Sequence, residues 1–168
     1  MKDLTIGIDI GGTNTKYGIV DRSGNVLHSG SISTQGYAEF RDYTKALAKI
    51  LKESIENIPG NGKLMGIGIG AANGNYYKGT IEHATNLQWK GIIPVADIFK
   101  EEFDIPTIIT NDANAAAVGE MVYGSAKGMK DFIVITLGTG LGSGFVSNGQ
   151  LVNGKHGIAG EVGHTSVN

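Results

Sequence analysis

The 168-residue sequence has no cysteine, only three prolines and a single tryptophan. The absence of cysteine excludes disulfides, thiol catalysis and thiolate metal sites from this stretch, and it fits a reducing compartment. Lys and Arg number 14 against 16 Asp and Glu, so there is no basic excess to neutralise nucleic acid or an anionic membrane. No apolar run approaches a membrane span, and Met1-Lys2-Asp3 does not begin a signal peptide. We therefore expect a cytoplasmic protein without a nucleic-acid or membrane partner.

Glycine is the residue that the chain has in excess, with 27 copies. Because glycine has no Cβ, it fits tight turns and lets other backbone or ligand atoms approach closely. The length allows one good hydrophobic core and is marginal for two domains. We therefore expect many tight turns and close backbone approaches, and the order of the predicted strands and helices described next indicates an α/β fold.

The predicted elements begin with a β-meander, at residues 4–10, 16–20 and 26–31. A helix is predicted at 38–58, where apolar residues recur every three or four positions. A hairpin or loop is predicted at 73–79. The remaining predicted elements are strands at 64–71 and 107–110, helices at 93–103 and 113–122, and a second series of strands at 132–137, 144–147 and 150–152.

The second series of strands repeats the order of the first: strand, glycine loop, strand, turn, strand. This repetition predicts two similar lobes with a nucleotide between them. The glycine-containing stretch 124–130 is the best candidate for the boundary. We therefore divide the chain into a first lobe at 1–123 and a linker with the start of an incomplete second lobe at 124–168, and we expect either a fragment or a second half in another molecule.

The first glycine loop follows a buried strand that carries Asp9. Gly11 and Gly12 let backbone N–H groups approach an anion, the hydroxyls of Thr13 and Thr15 add donors, and the Asp9 carboxylate suits Mg²⁺ or its water shell. A structural turn explains the glycines, but it does not explain the acid followed by two threonines. We therefore favour a phosphate-binding turn.

A second glycine loop, at 137–144, is a weaker signal because glycine-rich hairpin corners are common. It fits neither the Walker lysine loop nor the dinucleotide fingerprint, since Ser143 replaces the third glycine. Two glycine loops after apolar strands nevertheless indicate a nucleotide held from both sides.

Asn111 and Asp112 stand where a strand meets an alanine-rich helix, which is the usual place for ligand-binding groups in open α/β sheets. Asp112 is a candidate N-cap. Its carboxylate is also placed to accept a proton from a substrate hydroxyl.

Other polar and aromatic side chains have more than one interpretation. Glu161 and His164 fit sugar ligands, half of a metal site or ordinary surface groups. Tyr76, Tyr77 and Trp89 fit either a wall for a sugar ring or packing. The three other histidines, His28, His83 and His156, receive no functional role.

Five motifs in order make the chain resemble the ROK family of sugar kinases, and within it the bacterial glucokinases. They are Asp9-Ile10-Gly11-Gly12-Thr13 with Lys16, Ala84-Thr85-Asn86-Leu87-Gln88-Trp89, Asn111-Asp112-Ala113-Asn114-Ala115-Ala116, Leu137-Gly138-Thr139-Gly140-Leu141-Gly142-Ser143-Gly144 and Ala159-Gly160-Glu161-Val162-Gly163-His164. The resemblance covers essentially the whole chain.

The resemblance implies an actin-like, ribonuclease H-like ATPase fold, with a complete first lobe and the opening strands of a second. It implies phosphorylation of a hexose, glucose before others, at its 6-hydroxyl by ATP and Mg²⁺, with Asp112 as general base. By position, the sugar contacts would be Asn86, Asn111, Asp112, Glu161 and His164. The residues around the ATP phosphates would be Asp9, Gly11, Gly12, Thr13, Lys16, Gly138, Thr139 and Gly140.

The resemblance also implies a homodimer, and a structural Zn²⁺ on His164 with cysteines that follow in many members of the family. This sequence has no such cysteine, so zinc binding would need ligands from outside it. The substrate stays open among glucose, N-acetylmannosamine, N-acetylglucosamine and fructose, as does a non-catalytic sugar-binding or regulatory role.

Overall fold

The computed structural model describes residues 2–60, 62–138 and 140–164 of the chain. These ranges contain runs of strands separated by single helices, and a short 3₁₀ helix lies at Val162–His164. None of the described helices combines enough length and apolar character to span a membrane. In chain order the elements are β1 (Lys2–Ile10), β2 (Asn14–Asp21), β3 (Val26–Ser33), α1 (Phe40–Glu56), β4 (Gly62–Ala71), β5 (Gly74–Asn75), β6 (Thr80–Glu82), β7 (Ile92–Ile93), α2 (Val95–Phe103), β8 (Thr107–Thr110), α3 (Asp112–Val122), β9 (Phe132–Leu137), β10 (Leu141–Ser147) and β11 (Gln150–Leu151).

A five-stranded mixed sheet forms the centre of the fold, with the strand order β3-β2-β1-β4-β8. The meander β1–β2–β3 is antiparallel, whereas β4 runs parallel to β1 and β8 runs parallel to β4. Because β1, β4 and β8 run in the same direction, their carboxyl ends lie at one edge of the sheet. That edge carries the first glycine turn, the loop after Ala71 and the start of α3.

One face of this sheet is the hydrophobic core. Alternate residues of β1, such as Leu4, Ile6 and Ile8, are buried, as the twofold periodicity of a strand requires. The apolar stripe of α1, including Leu47 and Leu51, packs on this face together with α2. The predicted amphipathic helix is confirmed, with bounds two residues inside each predicted end.

The other face of the sheet is lined by glycine. Gly7 pairs with Gly18 on β2 and with Gly68 on β4, so three glycines lie side by side across three strands. A Cβ built on Gly7 or on Gly68 would have no heavy atom within 4 Å. The sheet is therefore thin and open on this side.

A second, three-stranded antiparallel sheet has the order β11-β10-β9 and packs on α3. The turn at Asn148-Gly149 has φ values of 52° and 73°, which are those of the hairpin turn predicted there. The predicted glycine loop at 137–144 is shorter than expected, since β10 starts at Leu141 and Leu141 pairs directly with Leu137. The pairing is possible because Gly142 and Gly144 lie against the helix without side chains of their own.

The hairpin or loop predicted at 73–79 is the turn of a small antiparallel hairpin, in which Gly74 pairs with Ile81 and Asn75 with Thr80. A third short strand, β7, adds to β6 through the pair Ile81–Ile93. β7 was not predicted from the sequence, and Ile93, predicted to begin a helix, lies in this strand. Two residues are too few for periodicity to reveal a strand.

The contact between β10 and α3 predicts opposite effects for two glycine-to-alanine substitutions. A Cβ at Gly144 would lie 2.7 Å from Ala117 Cβ and 2.8 Å from the Ala113 carbonyl oxygen, so Gly144→Ala is expected to destabilise the chain by about 1–3 kcal/mol through overpacking. Gly119, within α3, has open space around its missing Cβ. Gly119→Ala is expected to stabilise by about 0.5–1 kcal/mol, since alanine loses less backbone entropy in a helix. Urea unfolding of both variants checks the pair, and equal effects would contradict this packing.

Candidate functional site

A cleft of about 910 Å³ lies over the glycine-lined face of the five-stranded sheet. Its floor includes Gly7, Gly18, Gly68 and Gly70, and one wall is α3. Its polar lining residues are Asp9, Lys16, Tyr17, Thr110, Asp112, Tyr76, Gln150 and Asn153. Three of the residues selected from sequence, Asp9, Lys16 and Asp112, therefore share a single cavity, although 103 positions separate the first from the last.

Asp9 and Lys16 occupy opposite positions on β1 and β2, so their side chains emerge on the same face of the sheet. Partial burial in the cleft raises the pKa of Asp9 above its ordinary value of 3.8, and repulsion from the Asp112 carboxylate raises it further. The positive charge of Lys16 opposes both effects. Two carboxylates and one ammonium group thus act on one another at this end of the cleft.

The N-cap of α3 is Asn111, and the prediction of Asp112 as the cap is wrong. Asn111 Oδ1 accepts hydrogen bonds from the backbone N–H groups of Ala113, at 2.8 Å, and Asn114, at 3.4 Å. Asn111 has extended backbone angles, whereas Asp112 is already the first helical residue. Because a cap residue has non-helical angles, the amide takes that position and the Asp112 carboxylate faces the cleft from the first turn.

Asn111 also links the first sheet to the segment that follows β11. Its Nδ2 donates a hydrogen bond of 3.1 Å to Glu161 Oε1. Since Oδ1 is engaged by the helix backbone, the amide has one orientation, with its N–H donors turned toward Glu161. Two of the predicted sugar contacts are thus in direct contact, next to Asp112.

The first glycine turn begins at Gly11, directly after Ile10, the last residue of β1. The Gly11 N–H donates to the Asn14 carbonyl at 3.2 Å, and the Thr34 N–H donates to the Thr13 carbonyl at 2.9 Å. Within the described part of the chain, the backbone N–H groups of Gly12 and Thr13 donate to no acceptor. Two adjacent N–H groups without an acceptor are the kind of donors that bind a phosphate oxygen.

Thr15 is not a phosphate donor, which corrects the expectation from sequence. Its side chain is completely buried. Its Oγ1 lies 2.7 Å from the Tyr43 hydroxyl and 2.8 Å from Thr34 Oγ1. Because Thr15 alternates with Asn14 and Lys16 along β2, it points into the core and not toward the cleft.

Asn86 does not line the cleft but adjoins the glycine turn. A Cβ on Gly12 would lie 2.5 Å from the Asn86 carbonyl oxygen, so only glycine allows this approach. The predicted sugar contact Asn86 and the predicted phosphate turn are therefore neighbours. A side chain at position 12 would disturb both.

Gly138 and Gly140 lie at the tip of the β9–β10 hairpin, outside the cleft lining. Gly142 contacts Ala113 and Gly144 contacts Ala117, so β10 runs in the same direction as α3. The tip of the hairpin, which precedes β10, therefore lies toward the end of α3 that carries Asp112. Thr139 lies outside the described residues, and so does the side chain of His164.

The aromatic residues divide between the core and the cleft. Trp89 is 7% exposed, packs on Phe40 and Tyr43, and donates its Nε1–H to the Tyr37 carbonyl at 3.1 Å. Trp89 is therefore part of the core. Tyr76 lines the cleft and has an edge-to-face contact with Tyr77, and both are exposed.

The cleft floor and the lining residues Gln150, Leu151 and Asn153 were not predicted from the sequence. The signal for the floor was present, because glycine alternates with isoleucine in Ile6-Gly7-Ile8 and in Ile67-Gly68-Ile69-Gly70. Asn153 had no such signal. Its Oδ1 is buried and accepts no hydrogen bond from the described residues, so it is a further polar group available at the cleft.

In the described ranges, no three His, Cys, Asp or Glu side chains cluster as a metal site. Asp9 and Asp112 supply two carboxylates on one cleft, which is enough for a divalent cation that arrives with its own oxygen ligands, as Mg²⁺ does with a nucleotide. Zinc binding by His164 stays a prediction.

Comparison with known proteins places the chain in a family. The model of the ROK family matches residues 5–168, and the chain belongs to that family. The glucokinase of Halalkalibacterium halodurans is 37% identical over 164 residues, which are 96% of this chain and 49% of that protein. The xylose repressor of Caldicellulosiruptor bescii is 33% identical over 166 residues, covering 97% of this chain and 41% of the repressor.

A solved structure with a similar fold is that of a ROK family glucokinase from Streptomyces griseus in complex with glucose and AMPPNP. The TM-score is 0.79 at 36% identity, over 98% of this chain and 51% of that one. The fold is therefore the actin-like ATPase fold that the resemblance implied. The chain spans about half the length of the curated glucokinases that it matches.

The raised pKa of Asp9 predicts that this carboxylate lowers stability at neutral pH. Because its pKa in the folded chain exceeds the ordinary value of 3.8, the folded state holds the proton more tightly than the unfolded state does. Stability is therefore lost as pH rises from below 3.8 through the raised pKa. Asp9→Asn, which has no charge to desolvate, is expected to have a higher Tm than the unsubstituted chain at pH 7 and to lose that advantage near pH 3.5.

Asp131 is a control of opposite sign. Hydrogen bonds from the Asn148 N–H and the Ser147 hydroxyl lower its pKa, so its contribution is present at neutral pH and lost as pH falls below the ordinary range. Asp131→Asn is expected to lower the Tm at pH 7 and to have little effect in acid. Thermal unfolding across pH compares the two variants, and an Asp9→Asn chain that melts earlier at pH 7 contradicts the assignment.

Proposed function

We propose that this chain forms the site of an ATP-dependent hexose kinase, with glucose as the first substrate to test. The observation that carries the proposal is that Asp9, Lys16 and Asp112 line one cleft. These three residues lie at one end of the cleft, near the edge of the sheet where the carboxyl ends of β1, β4 and β8 meet. Relationship to glucokinases at 37% identity supports the same reaction class.

Asp112 is the proposed general base. Its carboxylate stands in the first turn of α3 and lines the cleft. Oδ1 accepts a hydrogen bond of 2.8 Å from the Ala113 N–H, so Oδ2 is the oxygen proposed to meet a substrate hydroxyl. Phosphoryl transfer requires little covalent help from the protein. The proposed role of Asp112 is to hold the attacking hydroxyl in line and to accept its proton as the bond to phosphorus forms.

Asn111 and Glu161 are proposed to bind sugar hydroxyls, with Asn86 and His164 as further contacts. The amide of Asn111 has a fixed orientation and the Glu161 carboxylate accepts hydrogen bonds. An amide donor beside a carboxylate acceptor is suited to a sugar alcohol, which both donates and accepts. Because Asn111 and Asp112 are consecutive residues, a sugar bound by Asn111 would lie next to the proposed base.

The nucleotide phosphates are proposed to lie on the first glycine turn. The unpaired N–H groups of Gly12 and Thr13 and the ammonium of Lys16 would act as donors, and Gly11 gives the turn its shape. Gly138, Thr139 and Gly140 are proposed as the opposing turn. Mg²⁺ bound to the nucleotide would screen the phosphate charge, and Asp9 is the carboxylate placed to hold its water shell.

The division into a first lobe at 1–123 and a second at 124–168 is also a proposal. It is supported by the separation of the five-stranded sheet from the sheet β11-β10-β9, with α3 packed against both. Closure of two lobes over the cleft would exclude water, which competes with the sugar as a nucleophile. The glycine-containing stretch at 124–128 is the proposed hinge.

A second candidate function is sugar sensing without turnover. It is favoured by the 33% identity with the xylose repressor of Caldicellulosiruptor bescii. A sensor needs sugar contacts but no general base. Sugar binding without release of ADP would therefore select this alternative.

Substitution of the proposed base tests the kinase. Asp112→Asn in the full-length gene product is expected to lower kcat by at least about 100-fold, because the amide cannot accept the proton. The Kd for glucose is expected to change by less than about twofold, since the amide keeps the shape and the hydrogen-bonding reach. ADP release over a panel of hexoses, with calorimetry for glucose, measures both quantities.

Asp104→Asn is the matched control. Asp104 is remote from the cleft lining and has a φ of 51°, a conformation that asparagine also adopts readily. This variant is expected to have wild-type kcat. Near wild-type turnover by Asp112→Asn would remove the base from the mechanism.

A further inference from the structure

Three hydroxyl groups form a buried chain beneath the first glycine turn. Thr15 Oγ1 is 2.7 Å from the Tyr43 hydroxyl and 2.8 Å from Thr34 Oγ1. Thr15 and Tyr43 are 0% exposed and Thr34 is 1% exposed. Three hydroxyls in one core are costly unless they satisfy one another, as these do.

Both sides of the turn are attached to this chain of hydroxyls. On one side, Thr15 follows Asn14, whose carbonyl accepts the Gly11 N–H. On the other side, the Thr34 N–H donates to the Thr13 carbonyl at 2.9 Å. The backbone of residues 11–14 is therefore held from below by Thr15 and from the side by Thr34.

Tyr43 is the fixed end of this chain. It projects from α1, and its ring contacts the rings of Tyr37, Phe40 and Trp89. Burial raises the pKa of Tyr43, so the hydroxyl stays protonated and retains its donor at physiological pH. A phenylalanine would fill the same space without a hydroxyl, so packing alone does not require tyrosine here.

We propose that Tyr43 is a positioning residue for the nucleotide. Its hydroxyl orients Thr15, and through Thr15 and Thr34 it holds the turn at residues 11–14 in the conformation that directs the Gly12 and Thr13 N–H groups at a phosphate. This role rests on the proposed function, because the turn is assigned there to the nucleotide phosphates. Tyr43 itself does not line the cleft.

The segment with the predicted sugar contact Asn86 is attached to the same region by different bonds. Gln88 Nε2 donates to the Thr34 and Tyr37 carbonyls at 3.1 Å and 2.9 Å, and Trp89 donates to the Tyr37 carbonyl. These bonds do not involve the Tyr43 hydroxyl. Its loss should therefore affect the nucleotide much more than the sugar.

The test is Tyr43→Phe in the full-length gene product, with the affinity for Mg²⁺·ADP measured by calorimetry. The net value of a lost hydrogen bond predicts that the Kd rises roughly three- to tenfold, with the Kd for glucose unchanged. Amide hydrogen exchange at residues 11–15 is expected to become faster, whereas exchange in the middle of β4 is not. A merely structural role would lower the Tm without this localised pattern.

Tyr37→Phe is the matched control. It removes a tyrosine hydroxyl from the same aromatic cluster, and in the described part of the chain that hydroxyl has no hydrogen bond. Thr15→Val is expected to reproduce the effect of Tyr43→Phe, and Thr15→Ser, which keeps the hydroxyl, is expected to bind Mg²⁺·ADP like the unsubstituted chain. The double variant Thr15→Val with Tyr43→Phe should be little worse than Thr15→Val alone, because Thr15→Val already removes the bond that Tyr43→Phe breaks.

The outcomes separate this role from the proposed function. An unsubstituted full-length gene product that binds no Mg²⁺·ADP would contradict the nucleotide site itself, and the positioning role with it. Nucleotide binding that Tyr43→Phe leaves unchanged, or that Tyr37→Phe weakens equally, would overturn the positioning role alone. If Tyr43→Phe fails to fold, the comparison of Thr15→Val with Thr15→Ser decides in its place.

Discussion

The site depends on the parallel pairing of β1, β4 and β8. Parallel strands bring their carboxyl ends to one edge, so the residues that follow Ile10 and Thr110 meet there although they are far apart in sequence. β4 is the single strand between β1, which carries Asp9, and β8, which leads into Asp112. The Asp112 carboxylate is therefore near enough to add to the effect of burial and raise the pKa of Asp9. A purely antiparallel sheet of the same strands would separate the glycine turn from the start of α3.

The two faces of this sheet have opposite compositions, and the difference creates the cleft. Isoleucine and leucine fill the face toward α1 and α2, whereas glycine occupies the facing positions of β1, β2 and β4. Burial on one face supplies the hydrophobic stabilisation. The other face lacks side-chain packing, because glycine has no side chain, and the cleft therefore reaches the backbone of the sheet. The Asp9 carboxylate adds an electrostatic cost on the same face, which is typical of a binding site.

Most of the fold could be predicted from the sequence, because its strongest signals are local. The strand at Thr107–Thr110 and the strand at Phe132–Leu137 were predicted with the observed bounds, and the periodicity of α1 gave both its position and its buried face. The loop at 137–144 was predicted too long, since glycines at 142 and 144 suggested a turn when they serve close packing on Ala113 and Ala117. Glycine has both uses, and only the neighbouring helix distinguishes them.

The candidate site was harder to predict from the sequence, because the role of a site residue depends on partners that local pattern does not reveal. Asp9, Lys16 and Asp112 were selected by their motifs, and the structure brings them to one cleft, while their chemical roles stay predictions. Thr15 was assigned to the ligand because hydroxyls near a glycine turn commonly bind phosphate, yet strand alternation turns it into the core. Asn111 was assigned to the sugar alone, whereas it also caps α3. Thr34 and Tyr43, the partners of Thr15, are distant along the chain, so local pattern could not show them. The cap bonds of Asn111 are local, but Asn111 and Asp112 are both good cap residues, and only the backbone angles decide between them.

The buried hydroxyls under the turn and the Asn111 amide that caps α3 have a common physical role. Each uses a polar group with fixed partners to orient a backbone segment that must present donors to a ligand, which is the requirement for electrostatic preorganisation. Apolar packing resists compression but tolerates small rotations, whereas a hydrogen bond loses strength steeply when its angle changes. In the proposed role of Tyr43, the hydroxyl chain orients the Gly12 and Thr13 N–H groups, which a valine and a phenylalanine of the same volume would not do. The core beneath the turn is then part of the proposed nucleotide site, and its polar residues serve to orient the N–H groups of the turn and not to add stability.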